Sequence, residues 1–257
     1  MRTRARSQFA VSALVTYCRQ RIGPAFFGLA VFLILFSQSP FRPAAQIVIS
    51  FAFVLGFLFV FRLYDDLSQT PYDIGKPERS YTDPSAGKAL AACLIVFFPA
   101  LAGFAYLLSP RAAMVLVLFI AVNHLVYRNF IGRKTLSGFL PMLKYPVLHW
   151  LLRFAESSSS NGAGADFLTA AGLFAAFVAF ESLDDESFAF PGKYAGIMQA
   201  IAFALILFGS FSLTAALIGG LLLSLSLVGK FVWSRGSRYI FLVCLLAFRF
   251  IVQHYEF

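Results

Sequence analysis

Long apolar runs constrain this chain more than any other feature. From Ile22 onward, stretches nearly free of charge alternate with short polar connections. A soluble domain carries about 25% charged residues to face water, whereas here 13% of residues are charged and 60% hydrophobic. That balance excludes a soluble globular fold and a disordered chain. A transmembrane barrel is excluded too, because its short strands would alternate apolar and polar residues. The expected class is all-α, a polytopic helical membrane protein. Its 32 phenylalanines suit packing against lipid and against an apolar ligand.

A helix crosses hydrocarbon in about 20 residues. Nine stretches qualify: Ile22–Gln38, Ala44–Phe61, Ala86–Leu108, Ala112–Phe130, Phe139–Phe154, Phe167–Phe180, Ala195–Phe208, Leu213–Val232 and Tyr239–Gln253. Pro141, Lys144 and Pro146 interrupt the fifth, which a membrane helix tolerates where neighbours satisfy the freed backbone. With the N-terminus inside, sixteen of the 21 Lys and Arg fall on the inner side. Arg42, Arg111, Arg153 and Arg249 fall outside, and Lys144 lies within a span. This asymmetry predicts a cytosolic N-terminus and an outer C-terminus. The net charge of +9 is then an orientation signal, and no nucleic-acid partner is expected. Residues 1–21, Arg-rich and free of acids, read as a basic cytosolic segment, retained and lying at the interface. Residues 22–257 read as one intramembrane domain, with Ser157–Ala165 a flexible outer loop. A compact chain of this kind suits a bacterial inner membrane.

The acids are not spread evenly. Nine of the twelve carboxylates lie in two inner connections. Asp65, Asp66, Asp73, Glu78 and Asp83 follow the second span, and Glu181, Asp184, Asp185 and Glu186 follow the sixth. Ionisable groups at the end of a membrane helix are costly unless they have a partner or a task. The two clusters also share a pattern. Phe61 to Asp66 and Phe180 to Asp185 both read F-x-x-x-D-D, and Gly75-Lys76 and Gly192-Lys193 follow them. An internal duplication is expected, with four helices per repeat and a ninth appended around a central cavity. Asp65, Gln69 and Asp73 stand four residues apart, so a continuing helix would align them on one face. Clustered carboxylates repel, and a hard divalent cation relieves that repulsion. Mg²⁺ takes a few carboxylates together with substrate phosphate oxygens. Lys76, Arg79, Lys134 and Lys193 lie near enough in sequence to bind a diphosphate.

With these features the chain resembles the UbiA-type intramembrane prenyltransferase superfamily. The first family motif, N-D-x-x-D-x-x-x-D, is matched by Asp65-Asp66-Leu-Ser-Gln69-Thr-Pro-Tyr-Asp73, followed by Lys76-Pro77-Glu78-Arg79. The second, D-x-x-x-D-x-x-x-D, is matched by Glu181 and Asp185, with Ala189 at its third position. Tyr127 to Lys134 is similar to the family's basic connection after the fourth span. The sequence departs from the pattern at Asp65, Gln69 and Ala189. The resemblance implies Mg²⁺-dependent transfer of a prenyl group from an isoprenyl diphosphate to an aromatic or lipid-like hydrophobic acceptor in the membrane. It implies metal ligation by Asp65, Asp66, Gln69, Asp73, Glu181, Asp184 and Asp185. Asp66, Asp73 and Asp185 are the acids expected to carry turnover, so Asp66→Ala and Asp185→Ala should each abolish it. Aromatic faces can shelter the allylic cation, and Tyr64, Tyr127 and Tyr194 are candidates by position.

Two other functions fit the altered motifs. One is a terpene cyclase of the same fold, acting on the diphosphate alone. The other is a non-catalytic lipid-binding or scaffold relative. The remaining polar residues read more plainly. Cys18, Cys93 and Cys244 lack metal or disulfide spacing. His124, His149 and His254 are scattered and read as packed or interfacial. Arg62 reads as a structural counter-ion at a helix end, with Glu181 as its partner in the repeat register. Asn123 is a candidate cavity-lining residue, and Gly219 and Gly220 read as helix-packing contacts.

Overall fold

The structure, a computed structural model, describes residues 2–38, 43–68, 80–130, 139–154, 163–184, 194–208, 212–232 and 236–254. Among the described residues every regular element is helical. Ten α-helices follow in order: α1 Arg2–Arg21, α2 Pro24–Ser37, α3 Ala44–Ser68, α4 Pro84–Leu108, α5 Pro110–Phe130, α6 Lys144–Phe154, α7 Ala163–Asp184, α8 Ala195–Phe208, α9 Leu213–Val232 and α10 Ser237–His254. Short 3-10 turns at Ser80–Thr82 and Leu140–Leu143 precede α4 and α6. Proline opens α2, α4 and α5, where its missing N–H costs nothing and its φ is already helical. Asp83 caps α4, accepting from the backbone N–H of Ser85 and Ala86 at 2.9 Å each.

Each of the nine apolar stretches is helical over most of its described length. By length and composition, however, four helices among the described residues can cross a membrane: α3, α4, and the greater parts of α5 and α7. A fifth span arises if Ala10–Arg21 and Pro24–Ser37 are taken together, bent by 76° at Ile22 and Gly23. Helices of this kind are compatible with an integral membrane protein. The second half of the N-terminal segment packs within the fold, with Ala13 and Tyr17 buried. Helix α7 also begins at Ala163, so the expected loop ends earlier than Ala165.

The chain divides into two compact units, Met1–Ile34 with Phe41–Ile131, and Leu35–Pro40 with Gly132–Phe257. The later boundary falls between the fourth and fifth apolar stretches. In the first unit α4 packs against α1, α3 and α5. Phenylalanines join them: Phe61 lies 4.5 Å from Phe57, 5.2 Å from Phe119 and 6.0 Å from Phe98, ring centre to ring centre. In the second unit α7 packs chiefly on α8, and α9 on α10. Small residues permit that approach. A Cβ on Gly172 would stand 3.1 Å from the Ala202 carbonyl oxygen and 3.0 Å from Ile206. One on Gly219 would meet the buried Phe248 ring at 2.8 Å. Tyr145 and Phe177 stack at 3.5 Å. Leu217, Leu221, Leu225 and Val228 leave an apolar stripe of α9 exposed, as a lipid-facing helix would.

Candidate functional site

The polar groups of the first unit gather at the C-terminal end of α3. The apolar run ends at Phe61, but the helix continues to Ser68 and carries Asp65 and Asp66 inside its last turns. Both are buried, at 6% and 4% exposure. A carboxylate survives such burial only with donors around it. Neighbouring residues on a helix point about 100° apart, and these two acids accordingly meet different partners.

Asp65 looks toward α5, where the Tyr127 hydroxyl donates to its Oδ1 at 2.6 Å. Tyr127 is itself buried. Its ring stands edge-on to Tyr64 at 5.3 Å, and the Tyr64 hydroxyl lies 3.1 Å from Nδ1 of His124. Asn123 is buried on the same helix, one turn before Tyr127. Asp65 therefore sits beside a group of aromatic and polar side chains from α3 and α5.

Asp66 looks toward α1. Its Oδ2 accepts from Nε of Arg21 and from the Tyr17 hydroxyl, each at 2.8 Å, while its Oδ1 accepts from Nη2 of Arg21. The guanidinium therefore grips both oxygens, the strongest form of this pair. Arg62, one turn back on α3, brings its Nε to 3.6 Å of Oδ2. Tyr81 closes the group, its ring centre 5.8 Å from the Arg21 guanidinium carbon and 6.3 Å from the Tyr17 ring. Arg62 is thus a counter-ion, as expected, and Asp66 is an acid that it serves.

In the second unit Glu181 and Asp184 also lie inside a helix, since α7 runs on past Phe180 to Asp184. Glu181 is half-buried. Gln69, Asp73, Lys76, Arg79, Lys134, Asp185 and Lys193 lie outside the described residues, as does the side chain of Asp184. Tyr194 is exposed. Among the described residues no three His, Cys, Asp or Glu side chains stand together as a metal site. Of the expected ligands, Asp65 takes a neutral donor, Tyr127, on Oδ1, a contact that a neighbouring cation would tolerate. Asp66 is held by a guanidinium, and a cation there would displace or oppose it.

Sequence reasoning missed Tyr17 and Arg21. Their i, i+4 spacing in an acid-free helix was a usable signal, hidden because Arg21 reads as one more inner-side charge. No family model matches this chain, and neither a curated protein nor a solved structure matches it.

Proposed function

We propose that the protein is a membrane enzyme moving a prenyl group from an isoprenyl diphosphate to a hydrophobic aromatic or lipid-like acceptor. The observation that carries this reading is the burial of Asp65 beside Tyr127 and Tyr64, at the end of a helix long and apolar enough to cross a membrane. The altered Asp-rich motifs resembling those of UbiA-type enzymes support it from the sequence side. Asp65, with Gln69, Asp73 and the acids Glu181, Asp184 and Asp185, would hold Mg²⁺; Asp66 would join them only by giving up Arg21. Magnesium, when bound, offsets the charge of the departing diphosphate.

The chain's own residues would do the rest. Tyr127 fixes the Asp65 carboxylate through its short hydrogen bond, and a fixed ligand needs no reorganisation when charge develops. Lys76, Arg79, Lys134 and Lys193 would take diphosphate oxygens. As the bond between the prenyl carbon and the diphosphate oxygen breaks, its electron pair leaves with the diphosphate. The faces of Tyr64 and Tyr127 would then border the allylic cation, until an electron pair of the acceptor bonds to the prenyl carbon and the acceptor gives up a proton to the diphosphate or to water. Nine membrane spans in two four-helix repeats plus one helix, a cytosolic N-terminus and a bacterial inner membrane belong to the same proposal. The altered motifs also fit a second reading, a cyclase that uses no acceptor, whereas Gln69 and Ala189 best suit a non-catalytic lipid-binding or scaffold relative.

The test is release of inorganic diphosphate by the purified protein in nanodiscs, given geranyl, farnesyl or geranylgeranyl diphosphate. Mg²⁺-dependent release is expected, with a prenylated product once an aromatic or lipid acceptor is added. Release with a hydrocarbon or alcohol product and no use of any acceptor would favour the cyclase. No release with any donor and acceptor would overturn both enzymatic readings.

A further inference from the structure

We infer that Asp66 is the anchor that docks the N-terminal helix α1 onto the end of α3, and that Arg21 withholds this acid from a divalent cation while α1 is docked. An ionised carboxylate offers about four lone-pair sites. At least three are taken here, two by Arg21 and one by Tyr17. Arg62 adds a second guanidinium beside Oδ2. A dication entering this environment would stand next to two fixed positive charges.

The anchor is placed where α1 needs one. Helix α1 packs mainly on α4 and on the turn at Ser80–Thr82, and it reaches α3 through side chains: Arg21, Tyr17, and the Tyr17 ring 6.1 Å from Phe59. Helical hydrogen bonding ends there, with the Ile22 N–H on the Cys18 carbonyl, and the chain turns by 76° into α2. A Cβ on Gly23 would meet nothing within 4 Å. The cation of Arg21 also lies in the last turn of α1, where it complements the negative end of the helix dipole. One residue thus ties down the helix end and fills the acid.

Docking of α1 stands apart from the prenyl-transfer reading, whereas the withholding of Asp66 from metal rests on it. The experiment has one arm for each. Cys18 lies on α1 beside Tyr17 and is half-buried, so its labelling by a maleimide reads undocking in the full chain. With Cys93→Ser and Cys244→Ser as background, and chelator present, Arg21→Met and Asp66→Asn should each label Cys18 about tenfold faster. The double variant should be no faster than either, and Arg21→Lys should keep part of the protection. Labelling at the parent rate in both single variants, or multiplied rates in the double, would overturn the anchor. If Asp66→Asn fails to fold, Arg21→Met and Tyr17→Phe decide the same point. In the second arm Mn²⁺ alone is titrated and followed by its electron paramagnetic resonance signal. Asp66→Asn should bind as the parent does, and Arg21→Met several-fold more tightly. Weaker binding in Asp66→Asn would overturn the withholding. No Mn²⁺ binding in any variant would overturn the magnesium reading, and labelling would still decide the anchor.

Discussion

An Arg–Asp pair joins two helices in each unit, and the two pairs differ in kind. In the first, Arg21 grips both oxygens of an Asp66 side chain that is 6% exposed, with Tyr17 added as a third donor. In the second, Arg153 meets Asp166 through a single contact of 3.1 Å, Nε to Oδ1, and both side chains keep over a quarter of their surface exposed. The first pair cannot lose a member without leaving a buried charge, which is the costly case. The second can be solvated if it breaks, and such pairs contribute little. The same residue types therefore mark a structural joint in one unit and an edge contact in the other. The second unit is joined instead by close helix approach at Gly172 and Gly219 and by aromatic stacking. Polarity concentrated in one place is a better guide to a site than polarity counted along the chain.

This contrast can be broken or sharpened by substitution, read as thermal or denaturant unfolding in one detergent. Arg21→Met should be the most damaging, at about 3 kcal/mol, because it removes the guanidinium that holds both oxygens of the buried Asp66. Gly172→Val should follow at about 2 kcal/mol, since the new side chain meets a backbone carbonyl that cannot swing away. Tyr127→Phe should cost about 1 kcal/mol by removing a donor from Asp65. Arg153→Met should cost about 0.5 kcal/mol or less. Equal losses at Arg21 and Arg153 would erase the distinction between the pairs.

The smallest effect concerns the cap of α4. The Ser85 hydroxyl, then the Ala86 N–H, hold the Asp83 carboxyl below its ordinary range. A depressed folded-state pKa gives stability that is present above the unfolded value and is lost as pH falls through the folded one. Fraying at the start of α4, followed by amide hydrogen exchange, should therefore grow at acidic pH in the parent. In Asp83→Asn, which caps without titrating, that dependence should vanish.

The helices were legible because apolar runs of this length have few alternatives in lipid. Their ends were less so. The runs stop at Phe61 and Phe180, while α3 and α7 continue to Ser68 and Asp184. Hydropathy cannot see that a charged turn remains helical when its acids find donors. Asp65 and Asp66 were recognisable as special from their burial-prone position and their paired motif. Their division of labour was not, because it depends on Tyr127 and Arg21, 62 and 45 residues distant in sequence. Arg21 carried a second signal, the inner-side charge bias, and the stronger signal masked its partnership. The division into two compact units near Ile131 likewise needs contacts that no local pattern encodes.

The central claim, that helix-end carboxylates run the chemistry, is tested most directly by carboxylate removal in the diphosphate-release assay. Release from farnesyl diphosphate with Mg²⁺ would be compared between the parent, Asp65→Asn and Asp185→Asn, with folding checked by Cys18 labelling. The account predicts release in the parent, its loss in chelator, and at least a hundredfold loss in each folded variant. Parent-like release from either variant, or release that persists in chelator, would contradict it.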